Sequence, residues 1–321
     1  MDYFTQGFGR VSDSPMKYRT LGSTGLRVSV VGVGTWQFGG EWNQDFTQSD
    51  VDAIFDEARA QGINLIDTAE CYGDHLSERF IGTAVERDRS SWVIATKFGH
   101  QFHGFFDRTT PRSPADVRSQ TEASLKALRT DYIDLQQYHS WGDDQFFAED
   151  VLAELLRLRD EGKIRHIGNS VSFNGNVKQI EASRRMSIEA IQIIYNRLDQ
   201  TPEATTFPVC IEQGLGVLAR VPLASGFLSG KYKPGATFAE RDPRTQWKDV
   251  HSDERLTRVL EIARTEVPPG VDMASWSLAW CLRHPAVSCV IPGCKSPEQV
   301  RSNARAISIP SLVRDDHPQA A

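Results

Sequence analysis

The sequence predicts an α/β protein of the (β/α)8 TIM-barrel class, with a β-hairpin at its N-terminus and a long loop after the seventh strand. Three observations predict it. Eight strand-like apolar runs alternate with helix-like segments along most of the 321 residues. About 250 residues suffice for such a barrel, and no composition break divides the chain. Polar groups able to hold or move a proton cluster at the C-terminal ends of three successive strand-like runs, the rim where barrels of this kind carry their chemistry.

The elements run in order. Residues 1–15 read as a tail without periodicity, and 17–30 (KYRTLGSTGLRVSV) as a hairpin turning at Gly22-Ser23-Thr24-Gly25. Strand-like runs follow at 28–34, 64–69, 92–97, 132–139, 164–170, 190–196, 216–223 and 287–293. Between them, 50–61 places Val51, Ile54, Phe55 and Ala58 on one helical stripe, with Ser49 as N-cap and Gly62 as stop. Segments 77–86, 114–128, 148–161, 174–185, 203–213, 272–284 and 296–306 repeat the pattern. A polar stretch at 225–252 breaks it and reads as a lid or an unstructured insertion. One barrel domain is expected over 16–310, with a short tail at 311–321. A doubly wound sheet fits less well. Its phosphate loop carries G-x-G-x-x-G, and the residues after the first run, Gly32-Val33-Gly34-Thr35-Trp36-Gln37, lack the third glycine.

Composition narrows the function classes. The net charge of −6 comes without a basic stripe, which argues against nucleic acid. No segment reaches the roughly 20 apolar residues that span a bilayer, and no signal-peptide run opens the chain, so a cytoplasmic protein is expected. The five cysteines are odd in number and form no C-x-x-C pair, as in a reducing compartment. His100 and His103 have no carboxylate or cysteine at ligand spacing, so no metal is expected.

The rim carries the functional argument. NLIDTAECYG (64–73), WVIATK (92–97) and YIDLQQYH (132–139) supply Asp67, Tyr72, Lys97 and His139. Neighbouring strands lie about 4.8 Å apart, so three adjacent strand ends fit within roughly 10 Å. A phenol with a pKa near about 10 is a reluctant acid, and a nearby ammonium favours its ionised form. Lys97 can supply that charge, Asp67 can hold the lysine, and His139 can orient a carbonyl. A positioned acid beside a polarised C=O suits carbonyl reduction once something delivers hydride.

These residues resemble a family. GINLIDTAECYGDHLSERFIG (62–82), VIATKFG (93–99) and YIDLQQYHSW (132–141) are similar to the aldo-keto reductases, over about Tyr18 to Ala306. The resemblance implies Asp67, Tyr72, Lys97 and His139 as the catalytic set. It also implies NADP(H) extended across the barrel top, with NADPH expected and NADH possible. For the cofactor it implies Gly34 and Thr35 after the first strand and Ser170 and Gln192 at the carboxamide. Pro222, Leu223, Ser225, Gly226, Leu228 and Lys231 would lie along the pyrophosphate. Gly293, Lys295, Ser296, Gln299 and Asn303 would lie at the 2′-phosphate and adenine. The chain departs from the family pattern at three places: Val171 replaces the usual Asn after Ser170, with Asn169 on the other side; Arg220 stands where an aromatic often stacks; and Gln299 stands where some relatives have Arg. Trp36, Tyr72, Phe98, His139 and Trp141 are the expected substrate pocket, with Trp36 also near the cofactor. Phe102, Phe105 and Phe106 are expected in the loop after the third strand.

The implied activity is reversible reduction of an aldehyde or ketone, with hydride from nicotinamide C4 and the proton from Tyr72. The expected partner is a small carbonyl compound, and oligomeric state stays open. Alternatives are a non-catalytic NADP(H)-binding regulatory subunit, an NAD-linked sugar or polyol dehydrogenase, and a barrel isomerase or aldolase using Lys97 as a Schiff base.

Overall fold

A computed structural model describes residues 15–174, 176–245 and 252–309. Most of the expected tails at 1–15 and 311–321 lies outside the described residues. Eight parallel strands form one sheet: Val33–Gly34, Leu65–Asp67, Val93–Phe98, Ile133–His139, Ile164–Ser170, Ala190–Ile194, Gly216–Arg220 and Cys289–Val290. Each pairs with its predecessor in the chain. Bridges Val31–Val290 and Gly34–Gly293 join the first strand to the eighth, so the sheet curls closed. Closure removes the unpaired edges an open sheet would expose.

Register decides what faces inward. Gly34 pairs with Asp67, Asp67 with Ala95, Lys97 with Gln137, His139 with Ser170, and Ser170 with Gln192. Side chains alternate faces with period two, so Asp67, Ala95, Lys97, Gln137, His139, Ser170 and Gln192 share one face. Below the polar groups, Leu65, Val93, Leu135, Ala190, Leu218 and Cys289, together with Ala95, belong to one apolar cluster. The interior is therefore an apolar floor under a polar top.

The N-terminal hairpin, Tyr18–Thr20 with Arg27–Ser29, closes the bottom. Its Leu21 and Val28 are fully buried and belong to the same apolar cluster. Buried Arg19 donates to Val287 O at 2.6 Å and to Leu282 O at 3.0 Å, tying the plug to the last strand–helix unit.

Helices cover the outside. Gln48–Ala60 starts at Thr47, not at the expected Ser49, because Thr47 and Asp50 form a reciprocal capping box. Pro114–Ala127 is capped in the same way by Ser113 and Asp116. Three features depart from expectation. The run 28–34 splits, its first half pairing in the hairpin and its second half entering the barrel. The loop after the third strand holds a second hairpin, Gln101–Gly104 with Asp107–Thr109. A helix, Ser252–Thr265, begins at the end of the polar stretch. It buries only Leu256, Val259 and Ile262 among many charges, a stripe too thin to stand out in the sequence.

The described part of that stretch, up to Thr245, is anchored to the barrel top. Trp42 N donates to Arg241 O at 3.1 Å, Arg241 pairs with Asp45, and Arg244 donates to Ser225 O at 3.2 Å.

The plug makes a direct prediction. Leu21→Ala leaves a void under the barrel floor and lowers unfolding free energy by about 2–5 kcal/mol, read from the urea midpoint. An unchanged midpoint would show that the hairpin does not seal the core.

Candidate active site

The site is built on the polar top layer. Lys97 is 1% exposed, and a buried ammonium is tolerated only with partners. Its Nζ donates to Asp67 Oδ2 at 2.8 Å and to Thr68 O at 2.7 Å, and lies 3.4 Å from the Tyr72 hydroxyl. Asp67 is held in turn: Gln192 Nε2 donates to its Oδ1 at 2.6 Å and Gln137 Nε2 at 3.4 Å. Ser170 Oγ donates to Gln192 Oε1 at 3.3 Å. Five strands thus contribute to one hydrogen-bonded cluster.

Tyr72 comes from the loop after the second strand, and that loop is clamped. Ser77 Oγ donates to Thr35 Oγ1 at 2.9 Å, and Thr35 Oγ1 donates to Asp67 O at 2.9 Å. At Gly73 (φ 66°) a Cβ would lie 2.6 Å from Gly39 O, so only glycine lets the two loops touch. The Trp36 ring stacks on Tyr72 with centroids 6.2 Å apart.

The proton balance differs from expectation in one respect. Lys97 pulls the Tyr72 phenol down, but burial outweighs it and pushes the phenol up to about 12. Lys97 itself is held above the ordinary lysine range; its burial opposes the charge, and Asp67 and Tyr72 more than compensate. The phenol therefore stands protonated beside a fixed ammonium.

A cavity of about 580 Å³ opens over this layer. Of the expected residues, Gly34, Thr35, Trp36, Asp67, Tyr72, His139, Ser170, Gln192 and Arg220 line it. So do Pro222, Leu223, Ser225, Gly226, Lys231, Gly293, Lys295, Gln299 and Asn303. Five expected residues do not. Phe98 and Trp141 are buried in the core, where Trp141 packs on Phe98 and Tyr138; at Gly99 (φ 118°) a Cβ would strike the Trp141 indole at 2.0 Å. Both therefore leave the expected substrate pocket. Leu228 is fully buried, and Ser296 serves as N-cap of the helix Pro297–Ala304, accepting from Gln299 N. Lys97 itself lies beneath the cavity floor, behind Asp67 and Tyr72. Asn169 is occupied elsewhere, donating to Gln179 Oε1 at 3.0 Å. Arg220 donates to Val171 O at 3.1 Å while its Nε stays buried and unpartnered, and burial lowers its pKa.

Several lining residues escaped the sequence reading. Arg108 reaches the pocket from the second hairpin and pairs with buried Glu41 at 2.7 Å; Glu41 also accepts from the Trp36 indole. Arg244 joins Lys231 and Lys295 at the opposite end, pairing with Asp242 at 2.6 Å and stacking on Phe238. Both arginines sit in segments without periodicity, so spacing gave no signal for either. Glu70 lay inside a quoted motif, but its neighbours are remote in sequence: His139 Nδ1 at 3.6 Å and His100 N at 2.8 Å.

The chain is similar to known proteins in sequence and in fold. The sequence profile described as the aldo/keto reductase family matches residues 30–320. The chain is 32% identical over 302 residues to an uncharacterized oxidoreductase of Bacillus subtilis, covering 94% of each chain. It is 32% identical over 317 residues to the NADH-specific methylglyoxal reductase of Escherichia coli, covering 92% of this chain and 94% of that one. The holo form of an aldo-keto reductase from Bacillus halodurans is similar in structure, with TM-score 0.76 and 30% identity over 94% of this chain and 97% of that one. The glycerol dehydrogenase of Gluconobacter oxydans is similar as well, with TM-score 0.77 and 27% identity over 92% and 90% of the two chains.

The two histidines by the site share one electrostatic condition. Burial holds the His100 ring down to about 4, helped by His139 and Arg108 and opposed by Glu70. His139 is held well below the ordinary histidine value by burial and by Lys97, Arg108 and Arg220. Unfolded, both would take up protons below about 6.5. The unfolded state then binds more protons, so stability rises with pH across that window and falls as pH drops from about 6.5 toward 4. Glu70, raised by burial, contributes the opposite slope. The urea midpoint should therefore drop between pH 7 and pH 5, and drop less in His100→Gln. Equal drops in both proteins would remove His100 from the account.

Proposed function

The chain belongs to the aldo/keto reductase family, and on that footing we propose that it reduces a small aldehyde or ketone with a nicotinamide coenzyme, NADPH in preference to NADH. The observation that carries the reading is the Asp67–Lys97–Tyr72 cluster opening with His139 into one cavity.

The residues present fit such a coenzyme. One end of the cavity holds the neutral, hydrogen-bonded Ser170 and Gln192 amide–hydroxyl pair, suited to a carboxamide. Opposite lie Lys231, Arg244 and Lys295, with Lys295 Nζ donating to Trp42 O at 2.7 Å and the helix Pro297–Ala304 beginning nearby. Cations lining a cavity, with Lys295 beside a helix N-terminus, suit phosphates. This cluster supports NADPH. Glu298 lines the same end, and the acid Asp272 there is already committed to Ser275 N at 2.8 Å. The NADH specificity named for the Escherichia coli relative keeps NADH as the second reading.

The chain's own residues then divide the work. A reduced nicotinamide, when bound, supplies hydride. Tyr72 enters protonated and gives its hydroxyl proton to the carbonyl oxygen. The phenolate it leaves is stabilised by the Lys97 ammonium, already charged and held by Asp67. His139, neutral, offers a ring N–H to the same oxygen. Trp36 stacks on Tyr72 and lines the cavity beside it, where it would flank the bound carbonyl compound.

Steady-state turnover of an aromatic aldehyde with NADPH tests the acid. Tyr72→Phe should lose about 10²–10⁴-fold in kcat while NADPH still quenches intrinsic fluorescence with near wild-type affinity. Retained turnover would assign the proton to another group. Lys97→Met should abolish turnover and keep coenzyme binding; retained coenzyme binding without turnover of any carbonyl in the wild type would instead favour a regulatory subunit. In parallel titrations NADPH should bind more tightly than NADH, and Lys295→Met should narrow that gap.

A further inference from the structure

Beneath His139, on the side away from the cavity, three side chains converge that the proposed reaction does not use together. Cys71 Sγ lies 3.7 Å from His139 Nδ1, and Glu70 Oε2 lies 3.6 Å from the same nitrogen. The sulfur, nitrogen and oxygen all fall within 4.8 Å of one another. Cys71 and Glu70 are buried, and Glu70 Oε2 has no hydrogen-bond partner. A buried carboxylate oxygen without a hydrogen-bond partner is costly unless something positive meets it. Cys71 is a free thiol.

From this we infer that Glu70, Cys71 and His139 form a binding site for a thiophilic divalent cation of the zinc class. Zinc takes sulfur at about 2.3 Å and nitrogen or oxygen at about 2.0–2.1 Å, tetrahedrally. Those bond lengths separate a sulfur ligand from a nitrogen by about 3.5 Å, and a nitrogen ligand from an oxygen by about 3.3 Å. The S–N and N–O separations of 3.7 Å and 3.6 Å need a few tenths of an ångström of closure, and the S–O pair, within 4.8 Å, closes by a side-chain adjustment of up to about 1.3 Å. The donor set of thiolate, imidazole and carboxylate suits zinc and excludes magnesium or calcium, which prefer oxygen alone.

The supporting residues are in place. His100 N donates to Glu70 Oε1 at 2.8 Å, fixing the carboxylate with its other oxygen toward the site. His139 is held neutral, the form that ligates. Burial raises the Cys71 thiol, so binding exchanges one thiol proton for the metal, and the proton goes to solvent. With Nδ1 on the ion, the remaining His139 proton resides on Nε2 and the ring can no longer turn. Sequence spacing could not show this, because His139 lies 68 residues from Cys71.

The test uses the full chain, freed of metal by chelating resin and titrated with Co²⁺ as spectroscopic probe. One equivalent should bind with a thiolate-to-cobalt band in the near ultraviolet, Zn²⁺ should displace it, and about one proton should be released per ion in a weakly buffered solution. Cys71→Ser should lose the band. Glu70→Gln, which keeps size and shape, should weaken Co²⁺ at least about tenfold while keeping the wild-type far-ultraviolet circular dichroism. Absence of stoichiometric binding, or a band that survives Cys71→Ser, would overturn the site. So would Co²⁺ affinity unchanged in Glu70→Gln, a result that stands even if Cys71→Ser fails to fold. None of these readouts depends on catalysis.

Discussion

A buried ammonium organises this molecule. Lys97 sits at the top of the barrel interior, where an unpaired charge would cost several kcal/mol. Its two short bonds, to Asp67 Oδ2 and Thr68 O, offset that cost and leave one direction free, toward the Tyr72 hydroxyl. Asp67 must then be satisfied on its other oxygen, which brings in Gln192 and Gln137. Ser170 follows through Gln192. One charge thus commits side chains from the second through sixth strands to a single geometry, and the pocket inherits its floor from that network.

Such a network is tolerable only on a rigid base. The apolar layer beneath it and the hairpin plug keep water from reaching Lys97 from below. Register supplies the rest. A slip of one residue in any strand would turn its polar group outward and an apolar one inward. Closure of the sheet at Val31–Val290 and Gly34–Gly293 fixes the register around the whole ring. The loops above are fastened by close contacts, as at Gly39 with Gly73, so Tyr72 meets Lys97 without a search.

Much of this was legible in the chain. The eight strand runs, the hairpin and most helices follow from periodicity, and the rim residues follow from their position at strand ends. Misses share physical causes. Phe98 and Trp141 look like pocket aromatics in the sequence because they flank Lys97 and His139. Parity turns Phe98 to the outer face of its strand, and Trp141 follows it into the core. Arg108 and Arg244 come from irregular segments whose ends are placed by tertiary contacts. The expected lowering of the Tyr72 phenol failed because burial, invisible in sequence, opposes Lys97 and prevails.

The sequence by itself determined the alternation, the inward parity of the strands and the identity of the groups at their ends, because those depend on neighbours two to four residues away. Only the tertiary structure decided which of those groups touch. The Asp67–Gln192 bond spans 125 residues and the Cys71–His139 contact 68, and no local rule sets either separation. Burial was likewise a tertiary decision: it makes Lys97 demand partners, keeps Tyr72 protonated and holds His139 neutral. Charge state depends on how far water is excluded, and only the closed barrel excludes it.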